Sequence, residues 1–188
     1  MTSPDLRDTE LSADELRALV RMVPDFPAQG IKFRDVTTLI AHGPGLAGSI
    51  EALAELASDL EIDAVAGIEA RGFIFGAALA QRLGTGFVAL RKPGKLPVPT
   101  ISQDYALEYG SACLELDPTI IAEGERILLI DDLLATGGTA AAGANLLRRA
   151  GARCTHALFV IDLPELGGSG VLASQGVESR AIMAFDGH

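Results

Sequence analysis

The run Ile127-Leu-Leu-Ile-Asp-Asp-Leu-Leu-Ala-Thr-Gly-Gly-Thr139 concentrates the residues of this sequence that could do chemistry. Ile127 to Ile130 read as a strand buried on both faces, and the carboxylates of Asp131 and Asp132 stand at its carboxyl end. In a parallel sheet, ligands gather at that end. Ala135, Thr136, Gly137, Gly138 and Thr139 then lead into a helix. The glycines let the backbone turn tightly and present N–H groups, the threonines add hydroxyl donors, and a helix N-terminus carries about half a positive charge. Such a loop holds a phosphate dianion without a lysine. The GxxxxGK[ST] pattern of nucleoside triphosphatases is not satisfied anywhere in the chain. Two carboxylates beside a phosphate would repel it unless they face hydroxyl donors, and a ribose offers its 2′- and 3′-hydroxyls. The chemistry indicated is that of a sugar phosphate. The competing reading of these residues is a turn with an acidic helix cap and glycines that serve the bend.

The elements that must position this loop are legible as an alternation of strands and helices. Ser12 and Glu15 form a capping-box pattern, which predicts a helix over residues 12–23 stopped by Pro24. Leu46, Ile50, Leu53, Leu56 and Leu60 recur at spacings of three and four and predict a helix over 45–60. Strands are expected at 64–68, 86–90, 126–130 and 155–161, and helices at 72–83, ended by Gly84, and at 138–150. That rhythm implies an α/β fold with a central, mainly parallel sheet flanked by helices. Between Pro93 and Leu116 the rhythm breaks at Pro93, Gly94, Pro97 and Pro99, which predicts an irregular connection too long for a compact domain unless it is functional.

Composition bounds the partners. The 188 residues suit one domain, and no repeat, low-complexity tract or linker divides them. With 15 basic and 25 acidic residues the net charge is -10, which argues against nucleic acid. A local basic cluster at Arg91, Lys92 and Lys95 still suits a small phosphate-bearing ligand. Cys113 and Cys154 are far apart and in no CxxC arrangement, so a reducing compartment is expected. The N-terminus lacks the pattern of a secretory signal and no run approaches the roughly 18 apolar residues of a membrane span, so a cytoplasmic protein without a membrane partner is expected. His42, His156 and His188 form no ligand cluster, and no protein metal site is assigned.

As a whole, the segment Ile127–Thr139 resembles the phosphoribosyl-pyrophosphate motif of type I phosphoribosyltransferases. Four further segments, in order along most of the chain, resemble the adenine phosphoribosyltransferase branch of that family. They are Pro24-Asp-Phe-Pro-Ala-Gln-Gly-Ile-Lys-Phe-Arg-Asp35, Glu69-Ala-Arg-Gly-Phe73, Arg91-Lys-Pro-Gly-Lys-Leu-Pro97 and Leu107-Glu-Tyr-Gly110. The resemblance implies a type I phosphoribosyltransferase fold, with a small hood over the base from about 24–40 and 162–188 and a flexible active-site loop over about 93–112. It implies a homodimer, in which some basic residues reach across the interface.

The same resemblance assigns roles. Phe33 would stack on the base, where the alternative is a core phenylalanine. The Lys32 carbonyl would accept from the 6-amino group and the Arg34 N–H would donate to a ring nitrogen, which selects adenine over a 6-oxopurine because opposed carbonyls leave a buried acceptor unpaired. Leu163 would cover the other face of the base, with ordinary packing as the alternative. Arg71 offers a planar fork of donors to pyrophosphate, against a surface salt bridge. Arg91, Lys92 and Lys95 are further pyrophosphate ligands, against a solvated basic stretch. Ala70 stands where many members carry Ser, and Pro93 where many carry a basic residue, which puts one contact at each position in question; a loop acting through its backbone and Arg71 survives the first change. Glu108 is the implied acid/base carboxylate, with Tyr105 and Tyr109 beside it; the alternative for Glu108 is an exposed glutamate. Mg²⁺ is expected with the substrate's pyrophosphate, touched by Asp131 or Asp132 through water. Two rivals remain: a transferase for xanthine or another 6-oxopurine, and a non-catalytic regulatory module that binds phosphoribosyl pyrophosphate.

Overall fold

A computed structural model describes residues 11–107 and 110–187. The first helix, α1 (Ala13–Ala18), opens with the expected capping box: Ser12 Oγ accepts from Glu15 N at 3.3 Å, and Ser12 N donates to Glu15 Oε2 at 2.9 Å. The helix expected over 12–23 ends early, because Arg21–Pro24 form strand β1, paired antiparallel with β2 (Lys32–Asp35). A helix of six residues with Leu16 as its buried residue has little packing to sustain it, and Thr38 Oγ1 captures the Leu19 carbonyl at 2.6 Å where the next turn would begin. After α2 (Thr37–Ala41), the helix expected at 45–60 runs as α3 (Gly43–Leu56), with His42 Nδ1 accepting from Gly45 N at 3.0 Å to cap its start.

The next elements stand where the sequence places them: β3 (Ala64–Ile68), α4 (Gly72–Leu83) and β4 (Gly86–Leu90), with Gly84 at φ 71 closing the helix. The stretch 93–116 departs from the irregular connection expected. It carries an antiparallel hairpin, β5 (Ile101–Leu107) and β6 (Gly110–Leu116), with Ile101 opposite Leu116 and Leu107 opposite Gly110. The prolines lie before the hairpin, and beyond them the apolar residues alternate: Leu114 and Leu116 are core, with Ile101 and Tyr105 packed on them.

Strand β7 (Ile127–Leu134) continues four residues past the apolar run, so the two aspartates lie within it. The chain completes α5 (Gly138–Arg149), β8 (His156–Asp162), α6 (Gly168–Ser174) and β9 (Glu178–Ala184). Five strands form one parallel sheet in the order β4-β3-β7-β8-β9. Its faces bury separate cores. Ile127 and Leu129 pack with α5, α6 and the hairpin, whereas Leu128 and Ile130 pack with α1, α3 and α4. Both faces are covered, which is why β3 and β7 read as unbroken apolar runs. From β3 the chain turns outward to β4, and only later returns to β7 on the other side, so the strand order reverses between β3 and β7. A crevice for a ligand opens outside the carboxyl ends of strands at such a switch point. Among the described residues no helix is long and apolar enough to cross a membrane.

Candidate active site

Three parts of the chain meet at Arg71 in the switch-point crevice. Its Nε donates to Asp132 Oδ2 at 2.5 Å, and its guanidinium carbon lies 5.9 Å from the centre of the Phe33 ring. The β3–α4 loop, strand β7 and strand β2 are thereby joined. Arg71 does form an ion pair, as the surface alternative had it, but the partner is the buried Asp132, 4% exposed. Burial alone would lower the guanidinium's pKa; the Asp132 hydrogen bond and the charges of Asp132 and Asp131 more than offset it and raise it.

Asp131 accepts from Asp132 N through Oδ1 at 2.9 Å. Burial, with the Asp132 charge beside it, pushes the Asp131 carboxyl well above the usual range, against a smaller opposing pull from Arg71. A Cβ at Gly72 would lie 2.9 Å from both Asp131 Oδ1 and the Ile130 carbonyl oxygen, so glycine lets α4 begin this close to the acid pair. A raised folded-state pKa means that the folded chain binds more protons, so stability is lost as pH rises from the ordinary carboxyl range, about 4, through the raised value. Asp131→Asn should therefore have a higher Tm than wild type at neutral pH, with the gap closing towards about pH 4, and a weaker hold on a sugar phosphate. Thermal scans across that range check it; a variant less stable than wild type at pH 7 would sink the assignment.

The candidate phosphate loop lies between the acid pair and α5. Gly137 is the N-cap of α5 at φ 83, and among the described residues no side chain caps the helix, which leaves its first-turn N–H groups for a ligand. Thr136 is exposed; Ala135, Gly138 and Thr139 are half-buried. Behind the loop stands the start of α6: a Cβ at Gly137 would lie 2.8 Å from the Gly168 carbonyl oxygen.

On the β4 side, Glu69 organises the basic segment. Arg91 Nε and Nη2 each lie 3.3 Å from a Glu69 carboxylate oxygen, and Lys92 N donates to Glu69 Oε2 at 2.9 Å. The Lys92 N–H, and after it the Arg91 guanidinium, hold the Glu69 carboxyl below its ordinary value against burial. Arg91 is thus brought to the crevice, while the Lys92 and Lys95 side chains stay exposed and Lys95 contributes its carbonyl to Arg91 Nη1 at 3.2 Å.

On β2, Phe33 is half-buried, outside both cores, and edge-on to Phe26 at 5.2 Å. The Lys32 side chain is exposed, and its carbonyl accepts from Arg34 Nη1 at 2.8 Å. Leu163 is 7% exposed and packed in a core cluster, with its N–H on the Leu134 carbonyl at 2.9 Å. Glu108 and Tyr109 lie outside the described residues. Three participants escape the sequence reading: the Glu69 carboxylate, the Gly168 backing of the phosphate loop, and the carbonyls of Asp186 and Gly187 on Arg34. Of these, the Gly167-Gly168 pair at a helix start after Pro164 is the sequence signal for a close backbone approach.

Residues 35–168, more than half of the chain, match the phosphoribosyl transferase domain family. The adenine phosphoribosyltransferase of Novosphingobium aromaticivorans is 62% identical over 178 residues, which is 95% of this chain and 100% of that protein. The crystal structure of adenine phosphoribosyltransferase from Thermoanaerobacter pseudethanolicus superimposes with a TM-score of 0.89 at 42% identity, covering 93% of this chain and 100% of the other. The Saccharomyces cerevisiae adenine phosphoribosyltransferase, solved with adenine and D-2,5-dideoxy-2,5-imino-altritol 1,6-bisphosphate, gives 0.84 at 34% identity, covering 91% of this chain and 98% of that one. With the phosphate loop, the acid pair and the Glu69–Arg71 turn gathered at one switch point, this chain belongs to the phosphoribosyltransferase family, in its adenine phosphoribosyltransferase branch.

Proposed function

We propose that the chain transfers the 5-phosphoribosyl group from 5-phosphoribosyl-1-pyrophosphate to adenine, giving AMP and pyrophosphate. The observation that carries the reading is Arg71, held by Asp132 and facing Phe33, beside a helix N-terminus with no side-chain cap among the described residues. In the reaction N9 of the base bonds to C1 of the ribose, the C1–oxygen bond to pyrophosphate breaks, and the N9 proton passes to the Glu108 carboxylate. Thr136 to Thr139, with Ala135, hold the 5′-phosphate, and Asp131 and Asp132 accept from the ribose hydroxyls. Arg71, Arg91, Lys92 and Lys95 hold the leaving pyrophosphate. Phe33 and Leu163 enclose the base, with the Lys32 carbonyl and Arg34 N–H on its edge. Residues 24–40 and 162–188 serve as hood, and the 93–112 segment with Tyr109 closes over the substrates.

The carboxylate oxygens at 131 and 132 are hard donors that suit Mg²⁺ through water, and among the described residues no cluster of three or more His, Cys, Asp or Glu could hold an ion alone. Bound with the substrate, Mg²⁺ would neutralise pyrophosphate charge. A homodimer in the cytoplasm is the proposed working state, in keeping with the family resemblance.

The test offers purified protein, with Mg²⁺ and phosphoribosyl pyrophosphate, adenine, hypoxanthine, guanine and xanthine separately and follows nucleotide formation. AMP as the main product is expected. Preference for xanthine would overturn the choice of base, and no turnover of any base would favour the regulatory module.

A further inference from the structure

Arg34 presents a problem that its backbone does not explain. The residue is 5% exposed, and its guanidinium is spent on backbone carbonyls: Nη1 on Lys32 at 2.8 Å, Nη2 on Asp186 at 2.9 Å and on Gly187 at 3.3 Å. Its Nε is buried without an acceptor among the described residues. Burying a guanidinium against carbonyls with one donor unsatisfied is unfavourable by itself, so simple packing would be better served by an apolar side chain. The guanidinium also lies over the Phe185 ring, 5.2 Å from its centre, and Arg17 takes the same ring at 4.5 Å. The tail after β9 is in this way drawn onto β2, next to Phe33.

We infer that the Arg34 side chain is a positioning residue for base selectivity, clamping the Lys32 carbonyl between β2 and the C-terminal tail so that its orientation towards the base edge is fixed. This rests on the adenine reading above. A carbonyl oxygen has two lone pairs, and Arg34 Nη1 takes one of them. The other is left for a single donor, and the peptide that bears it cannot rotate without breaking its bond from Nη1, on a guanidinium that Nη2 anchors to Asp186 and Gly187. A rigid acceptor accepts a 6-amino group and meets a 6-oxo group with no partner; a mobile one turns away and tolerates both. Selectivity therefore depends on the stiffness of the acceptor as well as on its presence.

Two variants loosen the clamp from opposite ends. Arg34→Lys keeps the charge but lacks the planar fork that spans Lys32 and the tail. Gly187→Pro works from the tail, because Gly187 sits at φ 75 and proline is locked near −65°. The measurement is kcat/KM for adenine and for hypoxanthine, with KM for phosphoribosyl pyrophosphate as the control. Each variant should show an adenine-to-hypoxanthine ratio reduced about tenfold or more, mainly through a raised adenine KM, with the control KM within about twofold. The double variant should lose no more than Arg34→Lys alone, since both act on one clamp. If Arg34→Lys fails to fold, Gly187→Pro decides. A wild-type ratio in the folded variants, or equal losses for both bases together with a raised control KM, would overturn the clamp while leaving the adenine assignment intact. A wild-type chain that does not turn over adenine would overturn both.

Discussion

Gly137→Ala should lower kcat/KM for phosphoribosyl pyrophosphate by about 100- to 1,000-fold and Tm by roughly 5–15 °C. Two effects act on the one residue. Its φ is 83, a left-handed conformation that is unfavourable by about 1–2 kcal/mol for a residue with a Cβ. The added methyl would also lie 2.8 Å from the Gly168 carbonyl oxygen, 3.0 Å from Gly168 Cα and 3.2 Å from Val171 Cβ. The first two are backbone atoms at the start of α6, so relief comes from displacing either α6 or the phosphate loop. Overpacking of this kind typically destabilises by about 1–3 kcal/mol, which with the conformational term gives the Tm range stated. A loop moved by about 1 Å no longer aims the first-turn N–H groups of α5 at one phosphate, and misplacement on that scale is worth about 100-fold. Kinetics at saturating adenine, with a thermal scan, check both parts. Wild-type kinetics with a lowered Tm would remove the loop from the proposed phosphate site.

The same residue shows what could and could not be read from the sequence. That Gly137 bends a phosphate loop follows from its place between an apolar strand and a helix, and β3, β4 and α4 were equally legible because both sheet faces are covered and Gly84 stops the helix. The partner that makes Gly137 intolerant is Gly168, and the Gly167-Gly168 pair signals a close backbone approach without saying which loop it meets. The Glu69 carboxylate on Arg91 and Lys92 likewise depends on β3 lying beside β4, and the Arg34 clamp joins residues 152 apart. The first helix is shorter than its sequence suggests, because the capping box marks a start and carries no information on where β2 captures the chain. The hairpin at 101–116 was hidden by the prolines ahead of it, although the alternation of Ile101, Tyr105, Leu114 and Leu116 was present. Local rules locate a motif, while the contacts that make it rigid come from sheet order.

Arg71→Ala should cut kcat/KM for phosphoribosyl pyrophosphate by about 100- to 1,000-fold, since it removes a forked cation from a site where charge leaves with the pyrophosphate. Its stability effect is separable from its catalytic one. In the ligand-free protein Arg71 is the counter-ion of a buried carboxylate, bonded to Asp132 at 2.5 Å, and it also pulls the Asp131 carboxyl down against burial and the Asp132 charge. Without it, the Asp131 carboxyl is pushed higher still, the folded chain binds a proton more firmly, and stability falls more steeply as pH rises above the ordinary carboxyl range. The variant should therefore be less stable than wild type at pH 7.5, with the difference shrinking towards about pH 4 as the Asp131 carboxyl is protonated. Adding Asp132→Asn removes the uncompensated charge, so the double variant should regain Tm at neutral pH and no activity. A double variant that recovers turnover would mean that the Arg71–Asp132 pair serves only the fold. Recovery of stability alone places Arg71 in two successive partnerships, with Asp132 before the sugar pyrophosphate arrives and with the leaving group afterwards.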